Sequence, residues 1–239
     1  MWPKITKNYS PNFSLTKRSK KKIKFIIIHY TGMQREVSAI KRLCDFRSKV
    51  SSHYFIKKNG IIIKLVPDIY EAWHAGVSKW KNNESLNKYS IGIEIQNSGH
   101  NNMYEKFSLK QIKSLKKLLK PLIKFYNIKI ENILGHSDIS YNRKNDPGEK
   151  FPWELLSKHQ ISIWHNLKTS KLLKMRKKNI SKFEKNQFFN YLDKFGYKKQ
   201  GKNSNKLLVI AFQRRFRNQL INGIIDLECL TISKKLHNM

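Results

Sequence analysis

The sequence predicts a mixed α/β domain over about residues 10–165, followed by a small C-terminal domain of three helices. In the first part, apolar runs rich in β-branched residues alternate with amphipathic segments of helical periodicity, which is typical of α/β domains. In the second part, three short amphipathic segments are separated by turns that contain Gly and Asn. With 39% hydrophobic residues, the chain can bury a core, which excludes global disorder. We predict domain boundaries at 1–165 and 183–239, joined by a basic linker at 166–182.

Strands are predicted at three places in the first part. Residues 22–30 contain lysines followed by a run of apolar, mostly β-branched residues, as expected of a buried strand. Residues 53–66 contain two strand-like runs around Asn59-Gly60, a pair that favours a hairpin with a type I′ turn. In residues 90–96, isoleucines alternate with other residues, which indicates a strand with one apolar face.

Helices are predicted between these strands and after them. Residues 38–46 form a short helical stretch, and Ser108 is suited to cap a helix that runs to about Phe125. The apolar residues of this second helix recur every three or four positions. Pro121 lies inside it and is expected to kink it or to end it early. The three C-terminal helices are predicted at 183–195, 206–217 and 226–236.

The charge of the chain is strongly positive. Lys and Arg number 49 against 16 Asp and Glu, which gives a formal net charge of +33. Because the basic residues are spread along the whole chain rather than gathered in a local stripe, we predict general attraction to polyanions and no specific nucleic-acid partner. Binding to these polyanions should weaken as salt concentration rises.

No signal for export or membrane insertion is visible in the sequence. No apolar run approaches the roughly 20 residues of a membrane span, and the first 22 residues lack the apolar segment of a secretory signal. Cys44 and Cys229 are far apart and give no disulfide framework. We expect a cytoplasmic monomer, with a periplasmic or wall-associated protein as the alternative.

Residues suited to metal-assisted hydrolysis lie at the ends of predicted strands or in the loops that follow them. His29, His136 and Asp146 supply two imidazoles and a carboxylate, which can hold a catalytic zinc ion and leave a fourth position for water. Glu94 is suited to act as a general base. Lys144 is suited to stabilise an oxyanion.

Each of these residues also has a structural interpretation when it is taken alone. A histidine at a strand end is often packed or capping, Asp146 before Pro-Gly is an ordinary turn former, and Glu94 could face solvent. Asp138 competes with Asp146 as the third zinc ligand. From spacing alone, both interpretations stay open.

Several segments in the first 165 residues together resemble one enzyme family. These segments are FIIIHYTGM, VSSHYFIKKNGIIIKLV, AWHAGVSKW, SIGIEIQNSGH, LGHSDIS and RKNDPGEKFPW. In this order they resemble the zinc-dependent N-acetylmuramoyl-L-alanine amidases of the type-2 family, which is related to the peptidoglycan recognition proteins. The resemblance is strongest to the amidase-D branch, which acts on muropeptides and anhydro-muropeptides.

The resemblance implies a fold, a cofactor and a role for each residue of the constellation. The fold would be a central mixed β-sheet flanked by helices, with zinc in a surface groove. The zinc ligands would be His29, His136 and Asp146, and Asp138 would not be a ligand. Glu94 would be the acid/base and Lys144 would stabilise the transition state. Because this motif is complete, a hydrolase is favoured over a peptidoglycan recognition protein without activity.

Candidate substrate contacts lie in the same resembling segments. They are His53, Trp73, His74 and Asn97, and Tyr30 is a further candidate. The indole of Trp73 suits the apolar face of a sugar, and the imidazole of His74 suits a carboxylate. A buried Trp beside a satisfied His is an equally good interpretation of this pair.

The C-terminal part resembles the three-helix peptidoglycan-binding module. The matching positions are Ala211, Gln213, Phe216, Gly223, Ile225 and Asp226, whereas Leu230 stands where the module usually has the Thr that follows here as Thr231. The alternative is a basic helix-turn-helix in which Arg214, Arg215 and Arg217 contact phosphates.

Taken together, the residues and the resemblance predict a bacterial enzyme of cell-wall turnover and recycling. It would hydrolyse the amide bond between N-acetylmuramic acid, or its 1,6-anhydro form, and L-alanine, with one Zn²⁺ per chain. The expected partner is peptidoglycan or a muropeptide. The alternatives are a peptidoglycan-recognition protein without catalytic activity and a basic nucleic-acid-binding protein.

Overall fold

The computed structural model of the chain describes residues 2–201 and 204–239. Its strands are β1 (Ile5–Lys7), β2 (Phe13–Ser14), β3 (Phe25–Tyr30), β4 (Tyr54–Ile56), β5 (Ile62–Lys64), β6 (Glu71–Ala72), β7 (Lys79–Trp80), β8 (Asn83–Glu84), β9 (Ser90–Ile95) and β10 (Ile133–Gly135). Its α-helices are α1 (Glu36–Cys44), α2 (Leu109–Tyr126), α3 (His136–Ile139), α4 (Trp153–Lys158), α5 (Thr169–Met175), α6 (Lys182–Phe195), α7 (Asn205–Phe216) and α8 (Leu227–His237).

A mixed β-sheet forms the centre of the first part, as predicted. Its strand order is β1-β5-β4-β9-β3-β10, and the short pairs β2-β6 and β7-β8 lie outside it. Only the β4-β5 pair is antiparallel among the described strands of this sheet, whereas β4, β9, β3 and β10 run parallel. The carboxyl ends of β9, β3 and β10 therefore meet at one edge, where α/β proteins commonly place their sites.

Helix α2 covers the sheet through its apolar face. Ser108 caps it as predicted, since its Oγ accepts from the Gln111 backbone N–H while the Gln111 side chain returns to the Ser108 N–H. Leu115, Leu118, Leu119 and Leu122 are fully buried. Of the two effects expected of Pro121, an early end does not occur, because the helix continues to Tyr126; a kink stays a prediction. Lys117, whose carbonyl loses its partner at Pro121, is exposed, so water can satisfy that carbonyl.

The hairpin at residues 53–66 pairs as predicted, but its turn differs from the predicted type I′. Lys57 N–H donates to the Ile61 carbonyl, and Gly60 N–H donates to the Lys57 carbonyl. The connection therefore has three residues, with Gly60 at φ +88° and Asn59 outside the left-handed region. This geometry is a type I turn followed by a glycine bulge, and the Asn59 Oδ1 stabilises it by accepting from Ile61 N–H.

The C-terminal helices are α6, α7 and α8, close to the three predicted segments. Part of the predicted linker is the helix α5, whose Leu172 is buried. Apolar side chains of both parts belong to one continuous core, which includes Trp80 and Trp153 from the first part and Phe188 and Phe212 from the second. The domain boundaries themselves stay a prediction.

The described helices and the two cysteines bear on membrane insertion and on disulfide formation. In the described part of the chain, no helix combines the length and apolarity that a membrane crossing requires. Cys44 and Cys229 are both free thiols.

Candidate active site

The predicted zinc ligands and general base converge at the carboxyl edge of the central sheet. His29 lies near the end of β3 and is in register with Glu94 on the neighbouring strand β9. His136 directly follows β10, whose last residue, Gly135, pairs with Ile28 on the other side of β3. Three adjacent parallel strands therefore place the side chains of His29, Glu94 and His136 at the same edge of the sheet.

Two backbone features join the loop that carries Asp146 to the helix that carries His136. Ser137 N–H donates to the Asp146 carbonyl at 2.8 Å. Gly135 lies against Pro147, since a Cβ at Gly135 would lie 2.7 Å from the Pro147 Cδ. The two segments can approach this closely because residue 135 has no side chain.

Both histidines direct Nδ1 to the same point because their Nε2 atoms are engaged elsewhere. His136 Nε2 lies 3.1 Å from the Ala75 carbonyl and donates to it. His29 Nε2 lies 3.0 Å from His74 Nδ1, and His74 Nε2 lies 3.3 Å from Ser90 Oγ. The Ser90 hydroxyl donates to the Leu86 carbonyl, so the chain of hydrogen bonds is satisfied when His29 donates to His74 and His74 donates to Ser90. Hydrogen bonds of this kind fix the tautomer of a ligating imidazole.

The three candidate ligand atoms form a small triangle. His29 Nδ1 lies 3.0 Å from His136 Nδ1 and 3.0 Å from Asp146 Oδ2, and His136 Nδ1 lies 3.1 Å from the same oxygen. With both Nε2 atoms protonated, three lone-pair atoms face each other in a buried place, which is unfavourable without a cation. Tetrahedral zinc with bonds of about 2.0–2.1 Å separates its donors by about 3.3 Å, so this set of residues fits zinc.

The protonation states of these groups also suit a metal. Burial, reinforced by the charge of His136, lowers the pKa of His29 to about 4. Burial alone would raise the pKa of Asp146, but the charge and hydrogen bond of His136, together with His29, hold that pKa well below its usual range. A neutral His29 imidazole and an ionised Asp146 carboxylate are the forms in which these groups bind metal ions.

Glu94 lies beside this triangle with an unsatisfied carboxyl oxygen. Its Oε2 is buried and has no hydrogen-bond partner within residues 2–201 and 204–239. Burial, together with the negative charge of Asp146, raises the pKa of Glu94 to about 8, against the opposing effect of Lys144. A carboxyl group with a pKa near neutrality can both take up and return a proton.

A cleft of about 460 Å³ opens over these residues. The ligands, Glu94 and Lys144 line it, and so do Trp73 and His74 from the predicted substrate contacts. Tyr30, His100, Arg42 and Arg143 complete much of the wall. The cleft therefore combines an aromatic surface with several cationic groups around the candidate metal site.

His53 and Asn97, also predicted as substrate contacts, lie away from the cleft wall. Both are fully buried. His53 Nδ1 accepts from Gly92 N–H at 3.0 Å, whereas Asn97 donates to the Glu105 carbonyl and accepts from Gly99 N–H. Their placement supports a role in holding β9 and the loop that follows it.

Sequence reasoning missed Arg143 and His100. The Arg143 guanidinium donates to the carbonyls of Ala75 and Val77 and lies 3.5 Å from His136 Nε2. His100 Nδ1 lies 2.8 Å from the Tyr30 hydroxyl, and its Nε2 lies 3.0 Å from Glu149. His100 follows β9 in the loop NSGH, so the rule that identified the other residues, a polar side chain after a strand, also applies to it.

Two arginines proposed for phosphate contact in the helix-turn-helix alternative are buried. Arg215 pairs with Asp138, and Arg217 pairs with Asp226. Their side chains are 2% and 1% exposed, so they cannot reach a nucleic-acid backbone in this fold. Asp138 is engaged by Arg215, Tyr197 and the Gly135 N–H, whereas Asp146 faces the imidazoles.

Comparison with known proteins identifies relatives over most of the chain. Residues 19–149 match the family described as N-acetylmuramoyl-L-alanine amidase. The chain is 34% identical over 230 residues to the N-acetylmuramoyl-L-alanine amidase AmiD of Escherichia coli, which covers 90% of this chain and 82% of AmiD. It is 33% identical over 163 residues to the 1,6-anhydro-N-acetylmuramyl-L-alanine amidase AmpD of Haemophilus influenzae, over 61% of this chain and 86% of AmpD.

Solved structures of related proteins are also similar to this chain over most of its length. The complex of Escherichia coli AmiD with anhydro-N-acetylmuramic acid-L-Ala-D-γ-Glu-L-Lys superimposes with a TM-score of 0.79 at 31% identity, covering 93% of this chain and 91% of AmiD. The crystal structure of AmpDH3 from Pseudomonas aeruginosa superimposes with a TM-score of 0.80 at 28% identity, covering 95% and 96%. At these coverages, both alignments include most of the residues after the predicted linker as well as most of the α/β domain.

Proposed function

Because the chain belongs to the N-acetylmuramoyl-L-alanine amidase family, it is a hydrolase of the amide bond between N-acetylmuramic acid and L-alanine, and we propose how its residues perform this reaction. His29, His136 and Asp146 would hold one zinc ion. Glu94 transfers the protons, and Lys144 stabilises negative charge. The observation that carries this assignment is the triangle of lone-pair atoms with edges of 3.0–3.1 Å beside an unsatisfied carboxyl oxygen.

The reaction forms one bond and breaks another. A zinc ion, when bound, supplies Lewis acidity, which lowers the pKa of water and polarises a carbonyl group. Glu94 takes a proton from the attacking water while the water oxygen bonds to the lactyl carbonyl carbon. Lys144 places its ammonium near the oxyanion that develops. Glu94 then returns the proton to the alanine nitrogen as the carbon–nitrogen bond breaks, which gives the free peptide amine and the lactyl carboxylic acid of N-acetylmuramic acid; the acid loses its remaining proton to the released amine or to solvent.

The cleft also supports a choice of substrate. Its volume of about 460 Å³ suits one sugar and the start of a stem peptide. Trp73 offers a face for the sugar, and Arg42, Arg143 and Lys144 offer charge for peptide carboxylates. The AmiD complex contains an anhydro-muropeptide. We therefore favour released anhydro-muropeptides over intact sacculi.

The monomeric state of the chain stays a prediction. Binding of the wall by residues 183–239 stays a prediction. Nothing in the assigned chemistry requires a nucleic acid.

The test is product analysis by mass spectrometry. Purified zinc-loaded protein is incubated with anhydro-muropeptides and, separately, with sacculi. We expect release of free stem peptide, faster from anhydro-muropeptides, which is lost after chelation and restored by zinc. Glu94→Gln should lower the rate by roughly 10²–10⁴-fold while zinc still binds.

A matched control is Glu105→Gln, because Glu105 is a partly exposed carboxylate that pairs with Lys58 outside the cleft. This variant should keep the wild-type rate. Full activity of Glu94→Gln would refute the role given to Glu94. Peptide release that is insensitive to chelation would refute the metal assignment.

A further inference from the structure

Asp138 connects the C-terminal helices to the segment that carries His136. It lies two residues after His136 and is 1% exposed. Its Oδ2 accepts from Gly135 N–H at 2.7 Å and from the Arg215 guanidinium. Its Oδ1 accepts from the Tyr197 hydroxyl at 2.6 Å. A carboxylate of the α/β domain is thus neutralised and held by side chains that follow the predicted linker.

Arg215 contacts this segment at a second point. One guanidinium nitrogen pairs with Asp138, and the other donates to the Ile133 carbonyl at 3.0 Å. The guanidinium also lies 4.2 Å from the centre of the Trp153 ring. The planar fork of an arginine can make such paired contacts, which a lysine ammonium cannot reproduce.

The two contacts of Arg215 bracket His136 along the chain. Ile133 begins β10, and Asp138 closes the first turn of α3, so the backbone of His136 lies between the two contacts. The hydrogen bond to the Ala75 carbonyl at 3.1 Å sets the orientation of the His136 imidazole. The position of the His136 Cα atom, however, depends on the backbone between the two contacts of Arg215. A tight metal site requires ligand positions that are accurate to a few tenths of an ångström.

We propose that Arg215 of α7 is a positioning residue for the metal site, which acts through Asp138 on His136. The C-terminal helices then help to position a metal ligand of the amidase site, in addition to any contact they make with the cell wall. This inference rests on the zinc site of the proposed function. It concerns a residue that does not touch zinc or substrate.

The chain offers a matched control for this proposal. Arg217, also in the C-terminal part, pairs with Asp226 and donates to Asn222. Its side chain is as buried as that of Arg215. Because its partners lie within the C-terminal part, loss of its charge damages the helices without reaching the His136 segment directly.

The experiment measures zinc affinity by competition with a chromophoric chelator in wild type, Arg215→Met and Arg217→Met, all as full chains. We expect wild type and Arg217→Met to bind zinc equally, and Arg215→Met to bind it roughly 10–100-fold more weakly. The visible absorption spectrum of the Co²⁺-substituted protein gives an independent signature. It should change in Arg215→Met and stay as in wild type in Arg217→Met.

A milder pair of variants covers the case in which Arg215→Met fails to fold. Tyr197→Phe removes only one hydroxyl contact to Asp138, and we expect about a 3–10-fold loss of zinc affinity. Tyr141→Phe is its control, because the Tyr141 hydroxyl contacts Lys198, Gln200 and Ser204 across the same interface without touching Asp138. Its zinc affinity should equal that of wild type.

The outcomes distinguish failure of the metal site from failure of the positioning role of Arg215. Failure of wild type to bind zinc overturns the proposed metal site and this inference with it. Normal binding by wild type, with equal affinities in Tyr197→Phe and Tyr141→Phe and in the two arginine variants that fold, overturns the inference alone. An equal loss in both members of a pair also overturns it, because it would indicate general damage to the interface.

Discussion

Gly92 gives a sharp test of how the site is held together. It lies on β9, two residues before Glu94, and the His74 ring packs directly on it. A Cβ at position 92 would lie 2.4 Å from His74 Cγ, 2.6 Å from Cδ2 and 2.7 Å from Nδ1. Carbon atoms in contact normally stay about 3.5–4.0 Å apart. Gly92→Ala therefore forces the ring, the strand or both to move by about 1 Å.

That displacement is large compared with the hydrogen bonds of the ring. His74 Nδ1 lies 3.0 Å from His29 Nε2, and its Nε2 already lies 3.3 Å from Ser90 Oγ. A shift of about 1 Å takes at least one contact beyond hydrogen-bond range. Overpacking costs about 1–3 kcal/mol, and a buried donor left unsatisfied costs about 1–3 kcal/mol more. We expect the free energy of unfolding to fall by roughly 2–6 kcal/mol.

Zinc affinity distinguishes loss of the hydrogen bond between His74 and His29 from steric crowding alone. With its Nε2 partner displaced, His29 loses the contact that fixes its tautomer, and zinc affinity should fall about 10–100-fold. Urea unfolding in the presence of chelator gives the stability, and chelator competition gives the affinity. His74→Phe keeps a ring at this position but removes the acceptor, so it should lower zinc affinity to a similar extent. Wild-type affinity in both variants would refute the role assigned to His74.

Three further predictions concern separate parts of the molecule. Lys144→Met should lower kcat by about 10²-fold without changing zinc affinity, as measured by steady-state kinetics and chelator competition. Leu119→Ala, in a fully buried position of α2, should lower the free energy of urea unfolding by about 2–5 kcal/mol and leave the zinc affinity of the folded protein unchanged. Burial lowers the pKa of His165 from 6.5 to about 4, so the unfolded chain binds more protons between these values. The free energy of unfolding should therefore fall as pH decreases through that window, by up to about 3 kcal/mol, and His165→Gln should remove this part of the pH dependence in urea titrations.

The sequence was sufficient to predict two buried strands of the central sheet and the polar residues at or after strand ends, whereas the parallel pairing of the strands is a finding of the structure. Hydrophobic runs indicated β3 and β9, and polar residues at strand ends or in the following loops included His29, Glu94 and His136. These positions can be identified from the sequence because the alternation of residues in a strand is a local pattern. Neighbouring parallel strands then place their carboxyl ends, and the residues that follow them, at one edge of the sheet. His29, His136 and Asp146 lie together in the described structure, and their role as zinc ligands stays a prediction.

Details that depend on three-dimensional packing were not predictable in this way. The turn at Asn59-Gly60 depends on which residues of the hairpin pair, and the register gives a three-residue connection instead of two. The hydrogen bond of His74 to His29 joins two segments that are distant in sequence, and no local pattern indicates it. The continuation of α2 past Pro121 likewise depends on exposure of the preceding turn.

The contrast between Asp138 and Asp146 shows how the fold assigns different roles to two similar residues. In sequence, both aspartates follow His136 closely, and both could be the third ligand. Asp138 accepts from a guanidinium, a phenol and a backbone N–H, so its charge is already compensated and its oxygens are engaged. Asp146 Oδ2 faces two imidazole nitrogens whose protons lie on the far side of each ring. The atoms around Asp146 therefore suit a cation, whereas Asp138 already has partners that take the place of a cation. The partner that makes this difference, Arg215, follows Asp138 by 77 positions in the chain, so the choice between the two aspartates is encoded in the C-terminal helices as well as in the loop that contains them.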